Sequence, residues 1–258
     1  MTWDSSLLAL LIVPAFVYAL VPLLILATFR IDAEITLAPT RVEDLGAAAR
    51  DRLAWLLASL GQQGFIPVSN CRTPGAVPGV LGVQVMFVHP QARDVAYGMF
   101  ASSGMNTIRN AGLTFRTYFA DGTQIVTWTS TSPGSFPPNP RVDSVAFHRI
   151  TDPTQLYAIH RARVLASGRA AEPTLLPQPG DELAFQAEDW RRELRHVEQT
   201  GNFRLAPDGQ HFTMTPKGAY LMTGRIMWPG KWIRAARQRL QANRVLQNLR
   251  AAGHELPI

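Results

Sequence analysis

The longest hydrophobic pattern in the chain is an apolar run close to its N-terminus. Residues 5–29 contain no charged side chain, and as a helix rising roughly 1.5 Å per residue they exceed a hydrocarbon core about 30 Å thick. Pro14 and Pro22 fall inside the run, but transmembrane helices tolerate proline. The run therefore predicts a single transmembrane anchor over residues 1–30.

Two other interpretations fit this run less well. A cleaved signal peptide begins with basic residues, and the first six residues, MTWDSS, contain none. A buried helix would need protein on every side, because the run has no polar face. Arg30, Arg41 and Arg50 follow the run and no basic residue precedes it. The positive-inside rule thus predicts a single-pass membrane protein with its N-terminus outside and its body in the cytoplasm.

After this run, the spacing of apolar residues is first typical of a helix and then typical of strands. Thr40 and Glu43 fit a capping box, and apolar residues at three- and four-residue steps predict a helix over 41–60. Six runs with β-type composition follow between turn residues: 65–69, 80–89, 95–101, 113–119, 123–130 and 142–150. This order predicts an α+β fold in which an antiparallel sheet is covered by helices.

The end of this first domain, predicted over 38–168, is marked by a helix. Asp152 and Pro153 are suited to begin that helix and Gly168 to end it. Residues 169–180 contain prolines without apolar periodicity, which predicts a linker or a surface strap.

The C-terminal part, residues 181–258, is predicted to form a charged helix, a β-hairpin and a second helix. The helix covers 181–199, and the turn at 207–209 joins two strands over 202–206 and 210–214. After Pro229 the pattern predicts a basic amphipathic helix that packs on the body or on a membrane surface.

The positive charge of the chain is concentrated in this last segment. Residues 217–258 contain eight Lys and Arg side chains and a single acidic one, Glu255. Aromatic rings beside cations are typical of a membrane–water boundary. The residues predicted to contact a membrane surface are Tyr220, Arg225, Trp228, Lys231, Trp232, Arg234, Arg237 and Arg244.

Two alternatives remain for the basic segment. The helix can pack its apolar side chains on the body and leave its arginines in solvent. A basic helix can also follow nucleic-acid phosphates, but no recognised binding motif accompanies it, so no nucleic-acid partner is expected.

Candidate catalytic residues are few. Gly-x-Ser-x-Gly and the glycine-rich phosphate loops are absent, and the six histidines show no short metal-ligand spacing, so neither a cofactor nor a metal site is predicted. His148 and His160 could approach each other near Asp152. Cys71, the single cysteine, is a conceivable nucleophile if Arg72 lowers its pKa. Ordinary structural roles explain all of these residues better than catalysis does.

The sequence leads to two functional hypotheses. The first is a membrane-anchored, non-enzymatic interaction or accessory module that contacts the bilayer, through anionic headgroups, and a protein partner of unknown identity. The alternative is a membrane-tethered enzyme or small-ligand-binding domain whose pocket lies between the sheet and the Pro-rich loops.

Overall fold

The computed structural model describes residues 5–73, 80–103, 107–129, 136 and 138–256. The helices are α1 (Ser5–Thr28), α2 (Ala47–Gly61), α3 (Pro153–Ala166), α4 (Glu182–Gln199), α5 (Pro216–Ile226) and α6 (Gly230–Ala251). The strands are β1 (Arg30–Asp32), β2 (Ala38–Pro39), β3 (Ile66–Thr73), β4 (Val80–His89), β5 (Asp94–Ser103), β6 (Thr107–Tyr118), β7 (Gln124–Thr129), β8 (Val142–Ala146), β9 (Phe203–Leu205) and β10 (His211–Met214).

These elements form two compact units, and neither unit is continuous in the chain. Unit 1 consists of residues 1–35, 133–137 and 190–235. Unit 2 consists of residues 36–132, 138–189 and 236–258. Helices α4 and α6 each contribute one part to each unit.

Unit 2 is built on a seven-stranded sheet in the order β2-β3-β4-β5-β6-β7-β8. All six predicted strands are present, so the α+β fold with a sheet and helices is confirmed. The prediction of a fully antiparallel sheet is wrong at one position, because β8 runs parallel to β7. A parallel pair needs a crossover between its strands instead of a tight turn.

One face of this sheet carries the main hydrophobic core. Alternate residues of the central strands, such as Val85, Phe87 and Phe115, are fully buried there together with apolar residues of α2, α3 and α6. Helix α2 lies close to the sheet: a Cβ atom at Gly98 would be 2.8 Å from Leu56 Cδ1. The other face is covered by the first part of α4, where Phe185 packs edge-on against Tyr118.

The two helix starts predicted in unit 2 have different outcomes. Asp152 is the N-cap of α3 and accepts a hydrogen bond from the Thr154 amide (2.9 Å), as predicted. The capping box at Thr40 does not form: a 3₁₀ turn covers Val42–Asp44, and α2 begins only at Ala47. The Thr40 hydroxyl instead accepts a hydrogen bond from Arg72 Nε (3.0 Å), because it lies beside β3.

The Pro-rich segment 169–180 runs along the end of β6. The amide of Ala120 donates to the Pro173 carbonyl (3.0 Å), and the amide of Leu175 donates to the Tyr118 carbonyl (2.8 Å). These two bonds hold the segment on the sheet as a strap.

Unit 1 contains a three-stranded antiparallel sheet in the order β1-β10-β9. The predicted hairpin is present as β9 and β10, and β1 adds the third strand, which the sequence pattern did not reveal. Phe203 stacks on Phe29 at 5.6 Å between ring centroids and packs edge-on against Phe136 at 4.8 Å. Aromatic packing therefore forms the centre of this small sheet.

The predicted transmembrane anchor is wrong. Within the part of the chain that the structure describes, no helix combines the length and the apolar character needed to cross a bilayer. Helix α1 packs against α5 inside unit 1, and the Tyr18 hydroxyl donates to the Trp228 carbonyl. An apolar composition suits packing against protein as well as against lipid, so composition did not distinguish the two. The predicted single-pass membrane localisation, with the N-terminus outside and the body in the cytoplasm, depended on this anchor and is therefore wrong as well.

Candidate functional site

Six of the eight residues predicted to contact a membrane surface lie in unit 1. The three aromatic residues among these six are strongly exposed: Tyr220 is 57% exposed, Trp228 69% and Trp232 71%. Arg237 and Arg244, which belong to the part of α6 in unit 2, are also exposed. Large exposed aromatic side chains are unusual on a protein surface and mark interaction sites when they are grouped.

The cationic members of this group in unit 1 are Arg225, Lys231 and Arg234. Lys231 is exposed, whereas Arg225 and Arg234 are half-buried. Burial lowers the pKa of Arg225. Burial also lowers the pKa of Arg234, and the positive charge of Arg225 lowers it further. The two guanidinium groups are therefore close enough for the charge of Arg225 to affect Arg234.

Close backbone contact between α5 and α6 brings these residues together. A Cβ atom at Gly230 would lie 1.6 Å from the Gly224 carbonyl oxygen, so only glycine fits at this position. The contact joins the last turn of α5, which carries Arg225, to the first turn of α6, which carries Lys231 and Trp232.

Helix α1 adds an apolar stripe to unit 1. Phe16, Leu20, Leu23 and Leu24 are between 50% and 63% exposed. Their spacing of four, three and one residues places them on one face of the helix. Tyr18, in the same stretch of α1, hydrogen-bonds the carbonyl of Trp228. We call the four α1 residues together with Tyr220, Trp228 and Trp232 the unit 1 apolar surface.

The grouping of His148, His160 and Asp152 that the sequence allows does not form. His148 Nε2 lies 3.1 Å from Gln238 Oε1, whereas His160 is fully buried between two threonine hydroxyls. Asp152 caps α3. Each of these residues has its own structural partners.

His160 is instead the centre of a buried hydrogen-bond chain. Arg163 Nη1 donates to Thr127 Oγ1 (2.6 Å), and Thr117 Oγ1 donates to Asp94 Oδ1 (2.6 Å). The Thr127 hydroxyl can then donate to His160 Nδ1 (3.0 Å), and His160 Nε2–H to Thr117 Oγ1 (3.0 Å). A neutral imidazole protonated at Nε2 satisfies every group in this chain.

The ionisation of the two central groups follows from their surroundings. Burial lowers the pKa of His160, and this effect exceeds the opposing influence of Asp94. Burial acts to raise the pKa of Asp94, but His160, Thr117 and Arg161 outweigh it, so the pKa of Asp94 lies below its ordinary value. The Tyr157 hydroxyl also donates to Asp94 (3.0 Å). Complete satisfaction and full burial make this chain a structural network.

No single sequence motif pointed to this network. Asp94 begins a strand after a turn, where a short polar residue is common, and its partners come from β6, β7 and α3. The sequence signal for this network was the presence of polar residues, such as Thr117 and Thr127, at strand positions that face the protein interior.

The opposite face of the sheet carries a second group of buried polar residues. Asp189 of α4 pairs with Arg116 of β6 and accepts from Gln124 Nε2 (2.9 Å). The hydroxyls of Tyr97 and Tyr118 lie 3.0 Å apart beside this pair. Burial, followed by the charge of Asp189, raises the pKa of both tyrosines, which keeps them neutral. These contacts hold the first part of α4 on the sheet.

Cys71 lies on this same face and has none of the properties of a nucleophile. Its side chain is 0% exposed, and burial raises the pKa of the thiol. Gln186 Nε2 donates to Cys71 Sγ at 3.3 Å. A nearby Arg72 guanidinium would lower the pKa of this thiol, but Arg72 Nε donates to Thr40 instead, and the pKa of Cys71 is raised. A thiol that remains protonated reacts slowly.

Comparison with known proteins assigns no family to this chain. No protein-family model, no curated protein and no solved structure matches it.

Proposed function

We propose that this protein is a non-enzymatic interaction module and that unit 1 binds the surface of an anionic lipid bilayer. The observation that carries the proposal is the unit 1 apolar surface, whose exposed tryptophans lie close in the chain to Arg225, Lys231 and Arg234. Tryptophan and tyrosine are favoured at the level of lipid headgroups, and lysine and arginine attract anionic lipids.

The charge of the surrounding elements supports an anionic partner. Helix α1 has no charged side chain, and residues 216–251 contain Lys and Arg but no Asp or Glu.

The magnitudes are sufficient for reversible binding. Burying a large apolar side chain contributes about 1.5–3 kcal/mol, and each cation near an anionic leaflet contributes about 1 kcal/mol. Trp228, Trp232 and three neighbouring cations would thus give about 6 kcal/mol or more, before the cost of association.

Vesicle binding of the full chain tests the proposal. The protein is mixed with vesicles of phosphatidylcholine alone or of phosphatidylcholine with phosphatidylserine, and the bound fraction is measured by co-sedimentation. We expect binding to the anionic vesicles and weaker binding at high salt, because salt screens the cations. Replacement of Trp228 and Trp232 by serine should weaken binding roughly 100-fold.

The controls use exposed side chains of unit 1 that lie outside the apolar surface. Trp190→Ser removes a tryptophan that is 40% exposed, and Arg204→Gln removes an exposed cation of β9. Both should bind vesicles like the unchanged protein. Failure of the unchanged protein to bind anionic vesicles, or equal binding by the double tryptophan variant, would contradict the proposal.

A further inference from the structure

A small pocket in unit 2 lies between α2 and the strands β5, β6 and β7. Its volume is about 70 Å³, and its apolar wall is formed by Leu56, Phe100 and Leu113, which belong to the hydrophobic core. Pockets for drug-sized ligands have volumes of roughly 300–1,000 Å³, and a cavity of roughly 150 Å³ can hold benzene. This pocket therefore has room for one small chemical group.

The charged side chain at this pocket is Arg52, in the second turn of α2. Its guanidinium carbon lies over the ring of Trp55, 3.8 Å from the ring centroid, and Trp55 lines the pocket as well. The attraction between a cation and an aromatic face orders the side chain without using its N–H donors. Trp55 therefore holds Arg52 in place while the donors remain available for a ligand.

The charge of Arg52 has no counter-charge among the residues that the structure describes. Burial is the one cause that lowers the pKa of Arg52, and neither the adjacent Asp51 nor Asp152 acts in the opposite direction. Arg52 forms no ion pair or hydrogen bond with any described residue. Other arginines of unit 2 each pair with an aspartate: Arg116, Arg161 and Arg163. Charges that lose part of their solvent are normally paired in folded proteins, so an unpaired arginine at a pocket indicates an anionic ligand.

Two threonines complete the polar part of the pocket. Thr129 is the last residue of β7, and Thr151 lies just before α3. A threonine hydroxyl can donate one hydrogen bond to an oxygen of a ligand. The nearby carboxylate of Asp152 accepts from the Thr154 amide, because Asp152 caps α3. The pocket thus combines one cation and two hydroxyl donors with an apolar wall.

The chemistry of these groups defines the ligand. Arginine binds a carboxylate through two parallel N–H···O bonds, and the single negative charge of a carboxylate balances one guanidinium. A phosphate group is larger and carries a charge of about −1.5 to −2, which one arginine does not balance. We propose that this pocket binds the carboxylate of a small aliphatic acid, with Arg52 as the charged donor and the apolar wall around the short chain. All residues that line the pocket belong to unit 2, so this site is independent of the lipid-binding surface proposed for unit 1.

Ligand-observed NMR and calorimetric titration of the full chain with propionate test the site. The comparison compounds are inorganic phosphate and propionamide, which has nearly the shape of propionate but no charge, and sodium chloride keeps the ionic strength constant. We expect saturable binding of propionate with a Kd of about 1 mM, as suits a ligand of so few atoms. Propionamide and phosphate should bind about tenfold more weakly or not at all. The Nε–H resonance of Arg52 should shift when propionate binds.

Two variants identify the role of the arginine. Arg52→Gln removes the charge and should weaken propionate binding about tenfold or more. Arg52→Lys keeps the charge but loses the planar pair of donors, and should also weaken binding. Arg50→Gln, at an exposed position of the same helix, is the matched control and should bind propionate like the unchanged protein. Circular dichroism checks that each variant is folded.

Three results would overturn the inference. These are no saturable binding of propionate, binding of propionamide or phosphate as tight as that of propionate, and unchanged propionate binding by Arg52→Gln. In the first case Arg52 would be a solvated side chain that Trp55 orders. The double Trp228 and Trp232 variant should bind propionate normally, and Arg52→Gln should bind anionic vesicles normally, so failure of the lipid proposal and failure of this one are distinguishable.

Discussion

Replacement of His160 by leucine should destabilise unit 2 and change the pH dependence of its stability. The substitution removes the acceptor of the Thr127 hydroxyl and the donor to Thr117. A net loss of about 1 kcal/mol for each hydrogen bond, with a buried hydroxyl left unpaired, predicts a loss of about 2–3 kcal/mol at pH 7.5. The loss is measurable by urea denaturation followed by circular dichroism.

The pH dependence gives the sharper test. The pKa of His160 in the folded chain lies below its ordinary value of 6.5, so below pH 6.5 the unfolded chain binds a proton that the folded chain does not. The histidine's contribution to stability is therefore complete above pH 6.5 and decreases as the pH falls toward the folded pKa, by about 1.4 kcal/mol per unit. His160→Leu lacks this decrease, so its stability should approach that of the unchanged protein between pH 7 and 5.

The control is His254→Leu, whose side chain takes no part in the network. It should retain the pH dependence of the unchanged protein. Parallel stability curves for the unchanged protein and His160→Leu between pH 7 and 5 would refute the assignment of a neutral, buried imidazole.

Two further predictions concern backbone geometry and helix capping. Gly218→Ala should lower the melting temperature markedly, because the added Cβ would lie 2.2 Å from the Asn202 carbonyl oxygen; Gly224→Ala, in the same helix with no atom within 4 Å of its Cβ, should raise stability by about 0.5–1 kcal/mol. A drop of similar size for both alanines would contradict this reasoning. Asp152→Ala should cost about 1 kcal/mol in urea denaturation, because the Thr154 amide loses its cap, and an unchanged midpoint would argue against that role.

The sequence alone determined the elements whose signals are local. Alternating apolar residues located the strands of the large sheet, and the Asp-Pro pair at residue 152 located the start of α3. The Pro-Asp-Gly turn at residue 207 likewise located the hairpin of β9 and β10. These patterns suffice because strand period, capping and turn formation depend on residues close together in the chain.

Only the tertiary structure decided features that depend on distant partners. The parallel pairing of β8, the addition of β1 to the small sheet and the packing of α1 on α5 join segments far apart in the chain. The apolar run at the N-terminus was interpreted as a membrane span because composition reports how apolar a helix is, not what contacts it. The same holds for the buried groups: Asp94, His160 and Gln186 are ordinary polar residues in the sequence. Their roles follow from burial and from hydrogen-bond partners that folding brings together.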